Sequence, residues 1–133
     1  MASLSDLAAM GADPLGMVAS VILPQGLDPE GLLTGAIEAA RAFGCPLVGG
    51  DLSSGGELAI DIAATGTLPS GTAMRRDAGR AGDTVLLSGP LGAAAGGLRA
   101  LRTKQAEASL IEAHRRPTPR LVEGTVAREA GVR

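Results

Sequence analysis

Tryptophan, tyrosine and asparagine are absent from these 133 residues, and phenylalanine, cysteine, histidine and lysine occur once each, as Phe43, Cys45, His114 and Lys104. Each shortage excludes something. A single ring gives nucleic-acid bases no aromatic platform to stack on, and it leaves the core to Ala, Val, Leu and Ile. One cysteine excludes an internal disulfide framework and a cysteine-cluster metal site. No apolar run reaches the roughly 18 residues of a membrane helix, and no basic stretch leads into an apolar core as in a signal peptide. The expectation is a soluble cytoplasmic protein of one domain, or one domain and part of a second, with no nucleic-acid or membrane partner. The near-exclusive use of Arg over Lys fits a GC-rich coding sequence better than a function.

The formal net charge of −2 conceals an uneven distribution. Through Leu68 the acids number eight and the only base is Arg41; after Leu68 there are eleven bases and six acids. The acidic part suits cations and the basic part suits phosphate, although solvated surface explains both equally simply.

Hydrophobic periodicity places the elements. Ser5 is expected to cap a short helix over Asp6–Gly11. Leu15–Leu23 is almost wholly apolar and reads as a strand covered on both faces, ended by Pro24. Asp28 and Pro29 open a helix with Leu32, Leu33, Ala36, Ile37 and Ala40 on one side, and Gly44 is placed to end it. Cys45–Val48 reads as a short buried strand running into a turn at Gly49-Gly50-Asp51. Glu57–Thr65 alternates as a half-exposed strand. This helix–strand–helix–strand–strand order predicts a compact α/β unit. Pro69–Asp83 reads as a turn-rich connector. A strand over Thr84–Ser88, a helix to about Arg102, another over Ala106–His114 and a third opened by Thr118-Pro119 follow, the last with Leu121, Val122 and Val126 at helical spacing.

Four positions are candidates for chemistry. Two glycines let a backbone approach a ligand closely, so Gly50 with Asp51 could meet a nucleotide and its cation, or could form an ordinary tight turn. Asp6 at a helix start is a second hard oxygen donor, and the two carboxylates could converge on one Mg²⁺. Arg76, beside Arg75, could meet phosphate. Gly89-Pro90-Leu91-Gly92 lacks the Gly-Lys-Ser/Thr of a P-loop and reads as a packing turn. His114 suits a helix C-terminus, and Cys45 suits the core.

Taken together, these segments resemble thiamine-monophosphate kinases. Ser5-Asp6-Leu7-Ala8-Ala9-Met10-Gly11-Ala12 matches that family's SDLAAMGA segment, and Val48-Gly49-Gly50-Asp51 its VGGD segment. Arg76 with Arg80-Ala81-Gly82-Asp83, Gly89 to Leu98, and His114 to Arg120 resemble its later motifs in order and spacing. The resemblance implies an α/β (α+β) fold of the aminoimidazole-ribonucleotide synthetase type, a mixed sheet with helices on one side. It implies a partial N-terminal ATP- and Mg²⁺-binding domain over 1–70, a connector over 71–83 and the truncated start of a C-terminal domain over 84–133. It also implies transfer of a phosphoryl group from ATP to thiamine monophosphate, Mg²⁺ at Asp6 and Asp51, ATP at Gly50, Asp51 and Arg76, and a homodimer. The family's GDDAA and SDGL motifs have no counterpart here, and its RSGA reads Arg76-Asp77-Ala78-Gly79. The expectation is therefore a middle fragment that is inactive by itself. The alternatives are another ATP-dependent enzyme of the superfamily (aminoimidazole-ribonucleotide synthetase, selenophosphate synthetase or hydrogenase-maturation type) or a non-catalytic binding and assembly fragment.

Overall fold

In the computed structural model, which describes all 133 residues, the first 67 form α1 (Ala2–Met10), β1 (Asp13–Leu23), α2 (Glu30–Ala42), β2 (Leu47–Ser54) and β3 (Ala59–Thr67). The strands make one mixed sheet in the order β2-β1-β3. β1 is parallel to β2, joined by the α2 crossover, and antiparallel to β3. Gly11 ends α1 in the left-handed conformation, φ 71°. Its N–H donates to the Ala8 carbonyl, and Ala12 N–H to the Leu7 carbonyl, so the helix end is satisfied as the chain turns into β1. The Asp28 carboxylate accepts from Glu30 N–H at 3.0 Å, the capping contact expected of that residue.

Along β1, Met17, Ala19 and Val21 are buried while Val18, Ser20 and Ile22 are exposed. α1 and α2 cover the first of these faces. Leu4 of α1, Ala40 of α2, Met17 and Cys45 form the core cluster, with Leu7, Phe43, Leu47, Ile62 and Ala64 packed against it. The fold is the mixed sheet with helices on one side that the sequence implied. Strand β1 is nevertheless covered on one face, not both: its other face carries Val18 and Ile22 at about two-fifths exposure.

Three local expectations are corrected. First, α1 begins at Ala2, so Ser5 lies inside the helix and its hydroxyl donates back to the Met1 carbonyl at 3.2 Å. Asp6 consequently sits in the second turn. Secondly, Gly49-Gly50-Asp51 lies within β2, because pairing with β1 carries the strand on to Ser54. Thirdly, Thr84–Ser88 is not a strand. No neighbouring strand offers it a ladder, and Val85, Leu86 and Leu87 stand exposed.

The remaining helices are α3 (Ala93–Thr103), α4 (Ala108–Arg115) and α5 (Leu121–Glu129). α3 and α4 form a close hairpin in which Gly97 leaves room for the Leu110 backbone. α5 packs on α1. Its inward stripe is Leu121, Gly124, Thr125 and Arg128, spaced i, i+3, i+4, i+7, and not the Val122 and Val126 that hydrophobicity suggested; those two are mostly exposed. Gly124 is the reason. A Cβ there would fall on the Ala8 carbonyl group, so only glycine lets the two helix backbones meet.

Candidate functional site

Asp6 projects from α1 into solvent, and the connector brings Arg76 beside it: Arg76 Nη2 lies 3.7 Å from Asp6 Oδ1. The connector is seated by the backbone, with Met74 N–H donating to the Met10 carbonyl at 3.2 Å. Met10 is one helical turn beyond Asp6, and Arg76 is two residues beyond Met74, so this single bond brings the two charged side chains together. Both are largely exposed, and such a pair contributes about 0–1 kcal/mol. Arg76 can leave Asp6 for a stronger anion at little cost.

Arg75 is differently employed. Its guanidinium donates from Nε and Nη2 to both oxygens of Asp77, at 2.8 and 2.7 Å. That contact holds the Asp77 carboxyl below its ordinary pKa and raises Arg75. With the Nε/Nη2 edge of its guanidinium engaged on Asp77, Arg75 is the less available phosphate ligand of the adjacent arginines.

Gly50 and Asp51 occupy β2 opposite Ala19 and Ser20 of β1. Gly50 has φ 155°, and a Cβ there would strike the Ala19 backbone. Sheet geometry alone thus demands glycine at 50. Asp51 is exposed and in register with Ser20, whose other neighbour across the sheet is Asp61. The Ser53 hydroxyl donates to Asp51 Oδ2 at 2.7 Å and orients the carboxylate. Asp6 and Asp51 are both hard oxygen donors in solvent, the type of ligand that a nucleotide-borne Mg²⁺ takes alongside phosphates and water. No group of three or more His, Cys, Asp or Glu side chains is gathered closely enough to hold an ion by itself. Nor are Asp6 and Asp51 gathered into one donor set: Asp6 stands on α1, whereas Asp51 on β2 is in register with Ser20, a residue of the sheet face that α1 and α2 leave open.

Sequence reasoning missed Arg128. Its side chain is only 8% exposed. Nη1 donates to the Gly11 carbonyl at 2.7 Å and to Asp13 Oδ2 at 3.3 Å, while Thr125 Oγ1 donates to Asp13 Oδ1 at 3.3 Å. An arginine near the end of a polar helix reads as solvated; the available signal was its place four residues after Gly124 on one helical stripe. Elsewhere, an open groove of about 700 Å³ runs between α1, the 84–88 segment and α5, lined largely by apolar side chains including Ala8, Leu86, Leu87 and Val126. Cys45 is fully buried, and burial pushes its thiol pKa up. No helix is long and apolar enough to cross a membrane.

Residues 1–68 match the family model described as AIR synthase related protein, N-terminal domain. The chain is 33% identical to the thiamine-monophosphate kinase of Salmonella typhimurium over 96% of its length, and 38% identical to that of Methanospirillum hungatei over 97%. It spans about two-fifths of these relatives, 41% and 43%. Among solved structures, the thiamine-monophosphate kinase of Stenotrophomonas maltophilia superposes with TM-score 0.84 at 36% identity, covering 95% of this chain and 43% of that one. AaThiL complexed with AMPPCP and TMP gives 0.83 at 29%, with the same two coverages. The hydrogenase maturation protein HypE of E. coli gives 0.76 at 27%, covering 96% and 41%.

Proposed function

The chain belongs to the AIR synthase related family, and from that premise we propose that it takes part in ATP-dependent phosphoryl transfer to thiamine monophosphate, its own share being to hold Mg·ATP through Asp6, Gly50, Asp51 and Arg76. The observation that carries the reading is the Asp6–Arg76 pair. A carboxylate suited to a nucleotide's Mg²⁺ and a guanidinium suited to its phosphates stand together on exposed surface, and little holds them to each other. Asp51, oriented by Ser53, supplies a second carboxylate. Gly50 keeps the backbone beside it bare of a side chain. The binding of AMPPCP and TMP by AaThiL, similar to this chain over 95% of its length, supports ATP and thiamine monophosphate as the ligand classes.

Bound Mg²⁺ would neutralise phosphate charge. The protein's own residues bind and orient, which is most of what phosphoryl transfer asks of an enzyme. Two carboxylates and one arginine do not also position an acceptor phosphate, and positioning is worth about 7–11 kcal/mol of barrier. The 133-residue chain alone is therefore expected to bind nucleotide without turnover. The proposal includes the division into 1–70, 71–83 and 84–133, a cytoplasmic location, and a homodimer formed through the exposed sheet face. A second reading, an ATP-dependent enzyme of the hydrogenase-maturation type, draws on the likeness to HypE.

The test is titration of the purified chain with a fluorescent ATP analogue in Mg²⁺ and in EDTA. Binding should be strengthened by Mg²⁺, weaken in Arg76→Ala and fall at least to its level in EDTA in Asp51→Ala. Absence of Mg²⁺-dependent nucleotide binding overturns the proposal. Formation of thiamine diphosphate that disappears in Asp51→Ala would overturn the limited share assigned to this chain.

A further inference from the structure

The C-terminal end of α1 is where three parts of the chain meet. From one side Arg128 of α5 donates to the Gly11 carbonyl and to Asp13, the first residue of β1. Thr125, one turn earlier on α5, donates to the other oxygen of Asp13. From the other side Met74 N–H donates to the Met10 carbonyl. Gly11 is sandwiched between them, since a Cβ there would lie 2.7 Å from Arg128 Cβ and 3.2 Å from Met74 Cε. Both charged partners of the candidate site hang from this junction: Asp6 one turn back along α1, and Arg76 two residues on from Met74.

We infer that Arg128 is a positioning residue for the nucleotide site, acting through Asp6 without touching the ligand. The inference rests on the assignment of Asp6 made above. Its physical basis is that Arg128 is the only charged side chain bridging α5 to both the end of α1 and the start of β1. It is largely desolvated, and hydrogen bonds from a charged donor are stronger than neutral ones. Removing it leaves the Gly11 carbonyl without its side-chain donor and the Asp13 carboxylate with Thr125 alone, at the turn from α1 into β1. Glu129, 3.6 Å from Arg128 Nη2, is exposed and does not substitute for it. Supporting residues of this kind affect metal-dependent binding from outside the ligand shell.

The experiment is a double-mutant cycle between Arg128→Met and Asp6→Asn, read as affinity for a fluorescent ATP analogue with Mg²⁺ and with EDTA. Arg128→Met should weaken Mg²⁺-dependent binding by about tenfold, the low end for lost supporting hydrogen bonds. It should leave the residual affinity in EDTA unchanged, and it should add nothing in the Asp6→Asn background. Arg128→Lys, which keeps one donor, should recover part of the loss and serves in place of Arg128→Met if that variant does not fold. Additive losses, or equal losses in Mg²⁺ and EDTA, would show that Arg128 only stabilises the fold and would overturn the inference. If Asp6→Asn itself leaves Mg²⁺-dependent binding intact, the assignment of Asp6 fails instead. The two failures are thus told apart by whether Asp6→Asn is silent.

Discussion

Replacing Gly124 by alanine tests the helix crossing on which the site rests. In most helix interiors Gly→Ala is stabilising by about 0.5–1 kcal/mol, because alanine restricts the unfolded chain and favours helix. Gly35 in α2 is such a position: a Cβ there meets nothing within 4 Å, so Gly35→Ala should follow the general rule. At Gly124 the added carbon would overlap the Ala8 carbonyl oxygen and sit 2.9 Å from its carbon and 3.1 Å from Ala8 Cα. These are backbone atoms of α1 and cannot rotate away, so α5 must lift. Overpacking of this kind costs about 1–3 kcal/mol, which outweighs the helix-propensity gain. For a chain of this size each kcal/mol moves the melting temperature by roughly 3–6 °C. Thermal denaturation followed by circular dichroism should therefore separate the two variants in sign, Gly35→Ala above the parent and Gly124→Ala below it by several degrees. Equal upward shifts would refute the close α1–α5 contact, and with it the route by which Arg128 reaches Asp6.

Gly50→Ala should be worse than either, because both φ 155° and the approach to Ala19 oppose it; loss of the cooperative transition by circular dichroism is expected, and a normal melt would refute the β1–β2 register. Cys45 should resist thiol reagents at neutral pH in the native state and react fully in denaturant, since it is buried and its pKa is raised. Asp77 should titrate by carboxyl NMR below its ordinary value of 3.8, and Arg75→Ala should return it there. With a folded-state pKa below the unfolded one, its contribution is present above the ordinary carboxylate range and is lost as pH falls through the folded value. At tens of micromolar, a rough range for weak association, the exposed sheet face should give a sedimenting dimer, and Val18→Lys should abolish it.

Apolar spacing made α2 legible, because burial on one side writes a period into the residues; β1 was legible as an apolar run, and the later helices as segments between turns, although the apolar positions of α5 pointed to its exposed side. Asp28 also announced its cap. Thr84–Ser88 reads as a strand from composition, but a strand is made by its neighbours, and composition does not say whether any are present. The α5 stripe escaped notice because its closest contact is made by a glycine and its firmest by an arginine, neither of which raises hydrophobicity. Asp6, Asp51 and Arg76 stood out through motifs. The pairing of Asp6 with Arg76 did not, because it depends on where a connector without regular structure comes to lie.

The position of β1 between a parallel and an antiparallel neighbour also sets an order in time. β2 reaches it across about thirty residues, much of that stretch already shortened by α2, as in Ser20 meeting Asp51. β3 must close a longer loop, the outermost pair being Asp13 with Thr67. Since closure entropy rises with loop length, the crossover unit is expected to form early and β3 to arrive late, during synthesis as well as refolding. In native-state hydrogen exchange β1 amides, bonded toward strands on either side, should then be the slowest to open, and β3 should detach first as denaturant rises.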